Sequence, residues 1–156
     1  ATPARVEPGE ALAATEIAYQ MLRRDKGVRP VVLRNRLRQL MWEKVGVFRT
    51  EGDLRRAIGE LEDLEADLGQ QAVDLKSRRY NQELLEGLEN YFLVTTARCV
   101  AEAALLRTES RGAHYRDDYP VTDNRNWLQH LVIHRSDGEL KFATVPVDLK
   151  EIRPEE

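Results

Sequence analysis

Cysteine and paired glycines are scarce in this 156-residue chain, and each scarcity removes a class of function. Cys99 is alone, so no internal disulfide can form, as suits a reducing cytoplasm. It falls in a helical apolar pattern, which predicts a packing role rather than a reactive thiol. None of the nine glycines forms a G-x-G pair, so the chain has neither a dinucleotide fingerprint nor a phosphate-binding loop. No apolar run approaches the roughly 20 residues needed to span a bilayer, and the N-terminus lacks a signal peptide's basic start and apolar centre. Charge of one sign is also missing. With 24 Lys+Arg against 27 Asp+Glu, the net charge of -3 gives no global reason to expect nucleic acid or an anionic membrane as partner.

Reactive constellations are thin as well. His130 and His134 are four apart, but residues that favour strands flank them and no cysteine or third ligand supports a metal site. His114 with Asp117 or Asp118 and Ser110 has the residue types of a hydrolytic triad. These are crowded into one loop without a nucleophile-elbow sequence or an oxyanion donor pair, so hydrolysis is not expected.

What the chain does contain is amphipathic helix. Residues 1–8, with Pro3 and Pro8 and no period, read as a linker stump. From Gly9 to Arg24 the positions Ala13, Ile17 and Met21 recur at helical spacing, widened by Leu12, Tyr19 and Leu22, and Gly27 stops the run. Pro30 suits the first turn of a second helix reaching about Lys44, with Leu33, Leu37, Leu40 and Met41 on one face and Gly46 at its end. Thr50-Glu51-Gly52-Asp53 announces a third, carrying Leu54, Ile58, Leu61, Leu64 and Leu68 inward. The acidic block Glu60, Glu62, Asp63, Glu65 and Asp67 lies mostly off that stripe and reads as a solvated face. After a basic connection at Lys76, Arg78 and Arg79, the longest helix is expected from about Tyr80 to Thr108. Leu84, Leu88, Tyr91, Phe92, Thr95, Cys99, Ala103 and Leu106 would mark its inner face, and small residues at Ala97, Ala101, Ala103 and Ala104 permit close approach of a neighbour. The fold class is mainly α: an antiparallel, spectrin-repeat-like bundle of three to four helices over 9–108.

Residues 109–156 change character. Trp127 to Arg135 and Leu140 to Val147 favour strands, and Ser136-Asp137-Gly138-Glu139 is a turn signal, so an extended arm or β-hairpin is expected. A lone hairpin is marginal in water, so it must pack on the bundle or on a partner. Before it comes an ordered polar corner, Glu109-Ser110-Arg111-Gly112-Ala113-His114-Tyr115-Arg116-Asp117-Asp118-Tyr119-Pro120, closed by Asn126-Trp127-Leu128. Arg111 and Arg116 are permanent donors suited to carboxylates or carbonyls, Asp117 and Asp118 are available partners, and Gly112 permits a sharp turn. Trp127 has a large apolar body to bury and an N–H to satisfy. On physical grounds the corner is equally an internal staple or a docking surface.

That corner resembles the signature near the C-terminal end of the succinate dehydrogenase/fumarate reductase flavoprotein family, of which L-aspartate oxidase is the close relative. Leu40-Met41-Trp42-Glu43-Lys44-Val45-Gly46-Val47-Phe48-Arg49-Thr50-Glu51 is similar to the family's helix-to-helix segment, and Asn81 through Glu89 with Ala101 to Arg111 to its long helix, so the likeness spans roughly residues 30 to 135. It implies the C-terminal helical domain of an FAD-dependent oxidoreductase that interconverts succinate and fumarate, with electrons exchanged through an iron–sulfur subunit. The glycines that bind FAD and the residues that handle the dicarboxylate belong to domains this chain lacks, so it has no catalytic, cofactor-binding or metal residue of its own. Its implied role is to brace the FAD-binding and capping domains, with Arg111, His114, Arg116, Asp117, Asp118 and Trp127 as domain-docking residues. Neither nucleic acid nor direct membrane insertion is implied. The location implied is cytoplasmic, at the inner face of the membrane through partner subunits. The last residues of the motif, Asn126-Trp127-Leu128, favour the succinate/fumarate branch over L-aspartate oxidase. A free-standing helical protein-binding module is the reading from a different class.

Overall fold

The computed structural model describes residues 8–136 and 138–149, so the expected linker stump lies outside the described residues except for Pro8, which opens the first helix. The order is α1 (Pro8–Arg23), α2 (Pro30–Lys44), β1 (Phe48–Arg49), α3 (Glu51–Leu68), α4 (Gln82–Leu106), β2 (Tyr115–Arg116), α5 (Asn124–Trp127), β3 (Gln129–Ser136) and β4 (Glu139–Pro146). The architecture is mainly α, an antiparallel helical bundle with a C-terminal β-hairpin. Strands β3 and β4 pair antiparallel, from Gln129 opposite Pro146 to Ser136 opposite Glu139. Gly138 takes the positive φ of 83° that the tight turn requires. Strands β1 and β2 form a two-residue parallel pair, Phe48 with Tyr115 and Arg49 with Arg116.

The chain divides into two compact units, Ala1–Gln39 with Leu61–Thr95 and Leu40–Glu60 with Thr96–Glu156. In the first, Met21, Leu33, Leu37, Leu61, Leu64, Leu68, Val73 and Val94 make an apolar core. Within it Gln71 and Asn90 are buried and satisfy each other. The Asn90 amide donates to Gln71 Oε1 and to the Pro30 carbonyl, both at 2.9 Å, while Gln71 Nε2 donates to the Gly87 carbonyl at 3.1 Å. A short bridge pairs Val28 with Gln71, and it forces Gly27 so close to the Gln70 carbonyl that a Cβ would sit 2.3 Å from that oxygen.

In the second unit Leu40, Val45, Leu54, Ala57, Ala97, Ala101 and Ala104 are buried. Thr50 caps α3 as its sequence suggests: Asp53 N–H donates to Thr50 Oγ1 at 3.1 Å, and the hydroxyl donates back to Asp53 Oδ2 at 2.7 Å.

Two expectations are corrected. The buried line of α4 is Gly87, Asn90, Val94, Ala97, Ala101 and Ala104, one residue out of phase with the bulky stripe. Phe92 is 74% exposed and Leu106 is exposed, while Leu84, Leu88, Tyr91, Thr95, Cys99 and Ala103 are only half-buried. The small side chains occupy the line of closest approach, where backbones come together, and the large ones are displaced to its flanks. Trp127 does not open a strand. Asp123 caps the short α5 by accepting Asn126 N–H at 3.0 Å, and Trp127 ends that turn.

Candidate functional site

The polar corner belongs wholly to the second unit and is built on two buried charges. Glu109 has no exposed surface, and its carboxylate accepts from Arg107, from Arg111 Nε at 2.9 Å and Nη2 at 3.0 Å, and from the Asp123 N–H at 2.9 Å. Burial alone would raise its pKa, but the bonds from Arg111, the Asp123 amide and Arg107 outweigh that and hold it below the ordinary value. Arg116 is equally buried. Its Nη1 donates to the last carbonyls of α4, at Ala104 (2.9 Å), Leu105 (3.1 Å) and Arg107 (3.2 Å), so it caps the negative end of that helix. Its Nε and Nη2 form a fork on Asp118, at 2.7 and 2.8 Å.

Asp118 in turn accepts the N–H of Glu51 at 2.9 Å, in the first turn of α3. The Arg116 guanidinium, foremost, brings its carboxyl down to about 2. One Arg–Asp pair therefore joins the C-terminal end of α4 to the N-terminal end of α3, and the dipoles of both helices favour the arrangement.

His114 closes the third side. Arg49 Nη1 lies 2.7 Å from His114 Nδ1, and since arginine only donates, Nδ1 must accept. The ring hydrogen is then on Nε2, directed at the Arg107 carbonyl 3.3 Å away. Burial is the main force lowering the His114 pKa, and the charges of Arg49, Arg116 and Arg107 push the same way. Gly112, at φ 59°, makes the turn that lets Arg111 and His114 exchange backbone hydrogen bonds of 2.8 and 3.1 Å.

Trp127 is tied to the same corner. Its indole N–H donates to Thr108 Oγ1 at 2.9 Å, and the Arg107 guanidinium lies 5.0 Å from its ring centroid. Arg107 also donates to the carbonyl of Gln129 at 2.7 Å, which anchors the start of β3.

Of the six residues singled out in sequence, five are thus brought together by internal bonds. The side chain of Asp117 is exposed, although its N–H donates to the Arg49 carbonyl at 2.9 Å. Arg49, Arg107, Glu109 and Ser110 also hold the corner and were not among the six. Ser110 Oγ donates to the Tyr119 carbonyl at 2.8 Å and accepts Arg116 N–H at 2.9 Å. Glu109 and Ser110 sat visibly in the motif, but nothing local announces Arg49, which lies 65 residues from His114.

Chemically the corner holds rather than reacts. Ser110 and His114 are committed to different partners, so no nucleophile is activated. Among the described residues both sheets are two-stranded, and no glycine-rich turn joins a strand to a helix. Beside the corner, however, Trp42 is 84% exposed, Phe48 72% and Val47 57%. Phe48 meets Tyr115 edge-on, with centroids 5.6 Å apart. Exposed tryptophan and phenylalanine side chains are each poorly solvated by water.

Fold and corner together define a mainly helical domain stabilised by buried arginine–carboxylate pairs. The chain belongs to the family described as fumarate reductase flavoprotein C-term, which it matches over residues 34–156. It is 37% identical over 125 residues to a succinate dehydrogenase flavoprotein subunit of Coxiella burnetii, covering 80% of this chain and 21% of that protein. A fumarate reductase flavoprotein subunit of Helicobacter pylori is 38% identical over 113 residues, 72% of this chain and 16% of its own. Among solved structures, the FrdA chain of Escherichia coli quinol fumarate reductase superposes with a TM-score of 0.84 at 26% identity, over 99% of this chain and 28% of that one. The chain thus spans about a fifth of the length of these curated relatives.

Proposed function

We propose that this domain serves an FAD-dependent oxidoreductase interconverting succinate and fumarate, as a brace for the FAD-binding and capping domains rather than as a source of catalytic groups. The observation that carries the reading is the exposure of Trp42, Val47 and Phe48 in the same unit as a corner whose charges are internally satisfied. Burying an aromatic pair of this size against a partner is a large favourable term, and the preformed corner lowers the ordering cost of docking. Arg111, His114, Arg116, Asp118 and Trp127 contribute by fixing the loop that presents Ala113 and Asp117. Asp117 offers the direct polar contact. An iron–sulfur subunit is a further partner, and through it the assembly lies at the cytoplasmic face of the membrane. No described helix is long and apolar enough to cross a membrane itself.

An antibody raised against this domain, applied to source cells, tests the reading. A band several-fold larger than 18.0 kDa that carries flavin supports it, and a flavin-free band at 18.0 kDa overturns it. In that larger polypeptide, Phe48→Asp is expected to release flavin and expose protease sites, while Arg55→Asp, on the exposed face of α3, leaves both unchanged.

A further inference from the structure

The basic connection between α3 and α4 has no part in the staple or in the exposed set Trp42, Val47 and Phe48, and its construction is unusual. Asn81, nearly buried, donates through Nδ2 to the carbonyls of Leu75 (2.6 Å) and Ser77 (2.7 Å) and accepts Leu84 N–H at 2.9 Å. Ser77 Oγ accepts the N–H of Arg79 at 3.1 Å, and Lys76 Nζ donates to the Arg24 carbonyl at 2.6 Å. The loop is therefore held in one shape, yet its residues from Asp74 to Tyr80 are all exposed.

Tyr80 sits at φ 54°, in the left-handed region that an aromatic residue rarely adopts, and is 101% exposed. A strained backbone that displays a fully solvated ring gains nothing within the unit that carries it.

The charges are gathered just as deliberately. Arg78 donates to Tyr19 OH at 2.9 Å with its guanidinium 5.9 Å from the ring centroid, and Arg23 lies 5.5 Å from the same centroid. One tyrosine of α1 thus collects two arginines. Glu16, 3.7 Å from Arg23, is an acidic neighbour of the pair. Among the described residues no partner engages the Arg79 guanidinium, while its N–H donates to Ser77 Oγ.

We infer that Tyr19, Arg23, Lys76, Arg78, Arg79 and Tyr80 form a docking surface for a carboxylate-rich segment of a partner protein. Planar guanidinium groups fork onto carboxylates, and stacking on Tyr19 keeps two of them pre-oriented. Tyr80 supplies an amphipathic contact with few rotatable bonds. A polyanionic strand or a lipid surface fits less well, because acidic Asp74, Asp25 and Glu16 lie among the basic residues. The inference stands apart from the flavoprotein reading and survives its failure.

The test uses the 156-residue chain and a fluorescent ten-residue peptide of alternating Glu and Tyr, titrated by anisotropy. Binding is expected to weaken about tenfold in Arg79→Glu, a substitution that costs the fold no internal bond, and to fade as salt shortens the screening length to about 3 Å at 1 M. Arg55→Glu, the control at an exposed arginine elsewhere, leaves binding unchanged. Tyr80→Gly relieves the left-handed strain, so it should weaken the peptide about threefold while leaving the thermal midpoint level or higher, a split that a purely structural tyrosine would not give. The inference is overturned if Arg79→Glu and Arg55→Glu weaken binding equally. It is also overturned if vesicles of phosphatidylglycerol, or single-stranded DNA, bind more tightly than the peptide and with the same dependence on Arg79.

Discussion

Arg116 and Asp118, two residues apart in the chain, form a forked ion pair in which each partner also finishes a different helix: the arginine caps the last carbonyls of α4, and the aspartate accepts the first free N–H of α3. The pair is a joint between helix ends more than a source of net Coulomb energy, since burying a charge offsets much of what the pairing gains.

Removing one half of that joint is correspondingly damaging. Arg116→Ala removes the fork on Asp118 and the donor to the Ala104 and Leu105 carbonyls, and is expected to lower unfolding free energy by about 3 to 5 kcal/mol. Arg116→Lys keeps the charge but loses the fork and should recover less than half of that loss. Urea unfolding of the two variants measures the difference, and equal stability of Arg116→Lys and the parent chain would refute the joint.

Acid should act in two windows. The folded pKa of Asp118, about 2, is depressed below its unfolded value, so its contribution is complete above the unfolded pKa of about 3.9 and is lost as pH falls through 2. His114 is also depressed, but as a base: the folded state favours the neutral ring, so its contribution is complete above the unfolded pKa of about 6.5 and declines as pH falls below that value. A thermal-midpoint series against pH should therefore begin to fall below about pH 6.5. His114→Gln, which cannot titrate, should remove the upper part of the fall and leave the lower part. An unchanged upper slope in that variant would count against His114.

Close approach makes two glycines unequal. A Cβ at Gly27 would meet the Gln70 carbonyl at 2.3 Å, whereas at Gly87 it would meet the flexible Met21 thioether at 2.6 Å. Overpacking costs about 1 to 3 kcal/mol, and Gly27→Ala should lie at or above the top of that range while Gly87→Ala lies near its bottom. Calorimetric midpoints of the pair would reverse this order only if the Val28–Gln71 bridge opens easily.

Within the buried amides of the first unit, Gln71→Leu leaves one Asn90 N–H without its acceptor and takes the side-chain donor away from the Gly87 carbonyl. The expected cost is about 1 to 3 kcal/mol, and Asn90→Leu added to it should cost less than the sum of the two single changes.

Much of this was legible in the sequence where local chemistry decides. The four long helices, the Thr50 cap, the Ser136–Glu139 turn and the inward leucines of α3 each follow from a pattern within a few residues. The family signature was legible too, through Glu109 to Pro120. What was not legible depends on distant partners. The phase of α4 is not legible from bulk, because the buried line holds Ala97, Ala101 and Ala104, whose small size signals only a close approach. Trp127 was placed in a strand because its β-propensity outweighed the capping role of Asp123, four residues earlier. Arg49 stands in the segment that resembles the family, but nothing local marks its pairing with His114.

The two-residue pairing of β1 with β2 has a consequence in time. Arg49 and His114 can meet only after a stretch of 65 residues has been closed, and that closure forfeits chain entropy before the contact returns anything. The corner therefore assembles after the helices that flank it, and substitutions there should accelerate unfolding while leaving the refolding rate almost untouched, as chevron measurements would reveal. What the corner governs is how long a folded molecule stays folded, not how quickly it arrives.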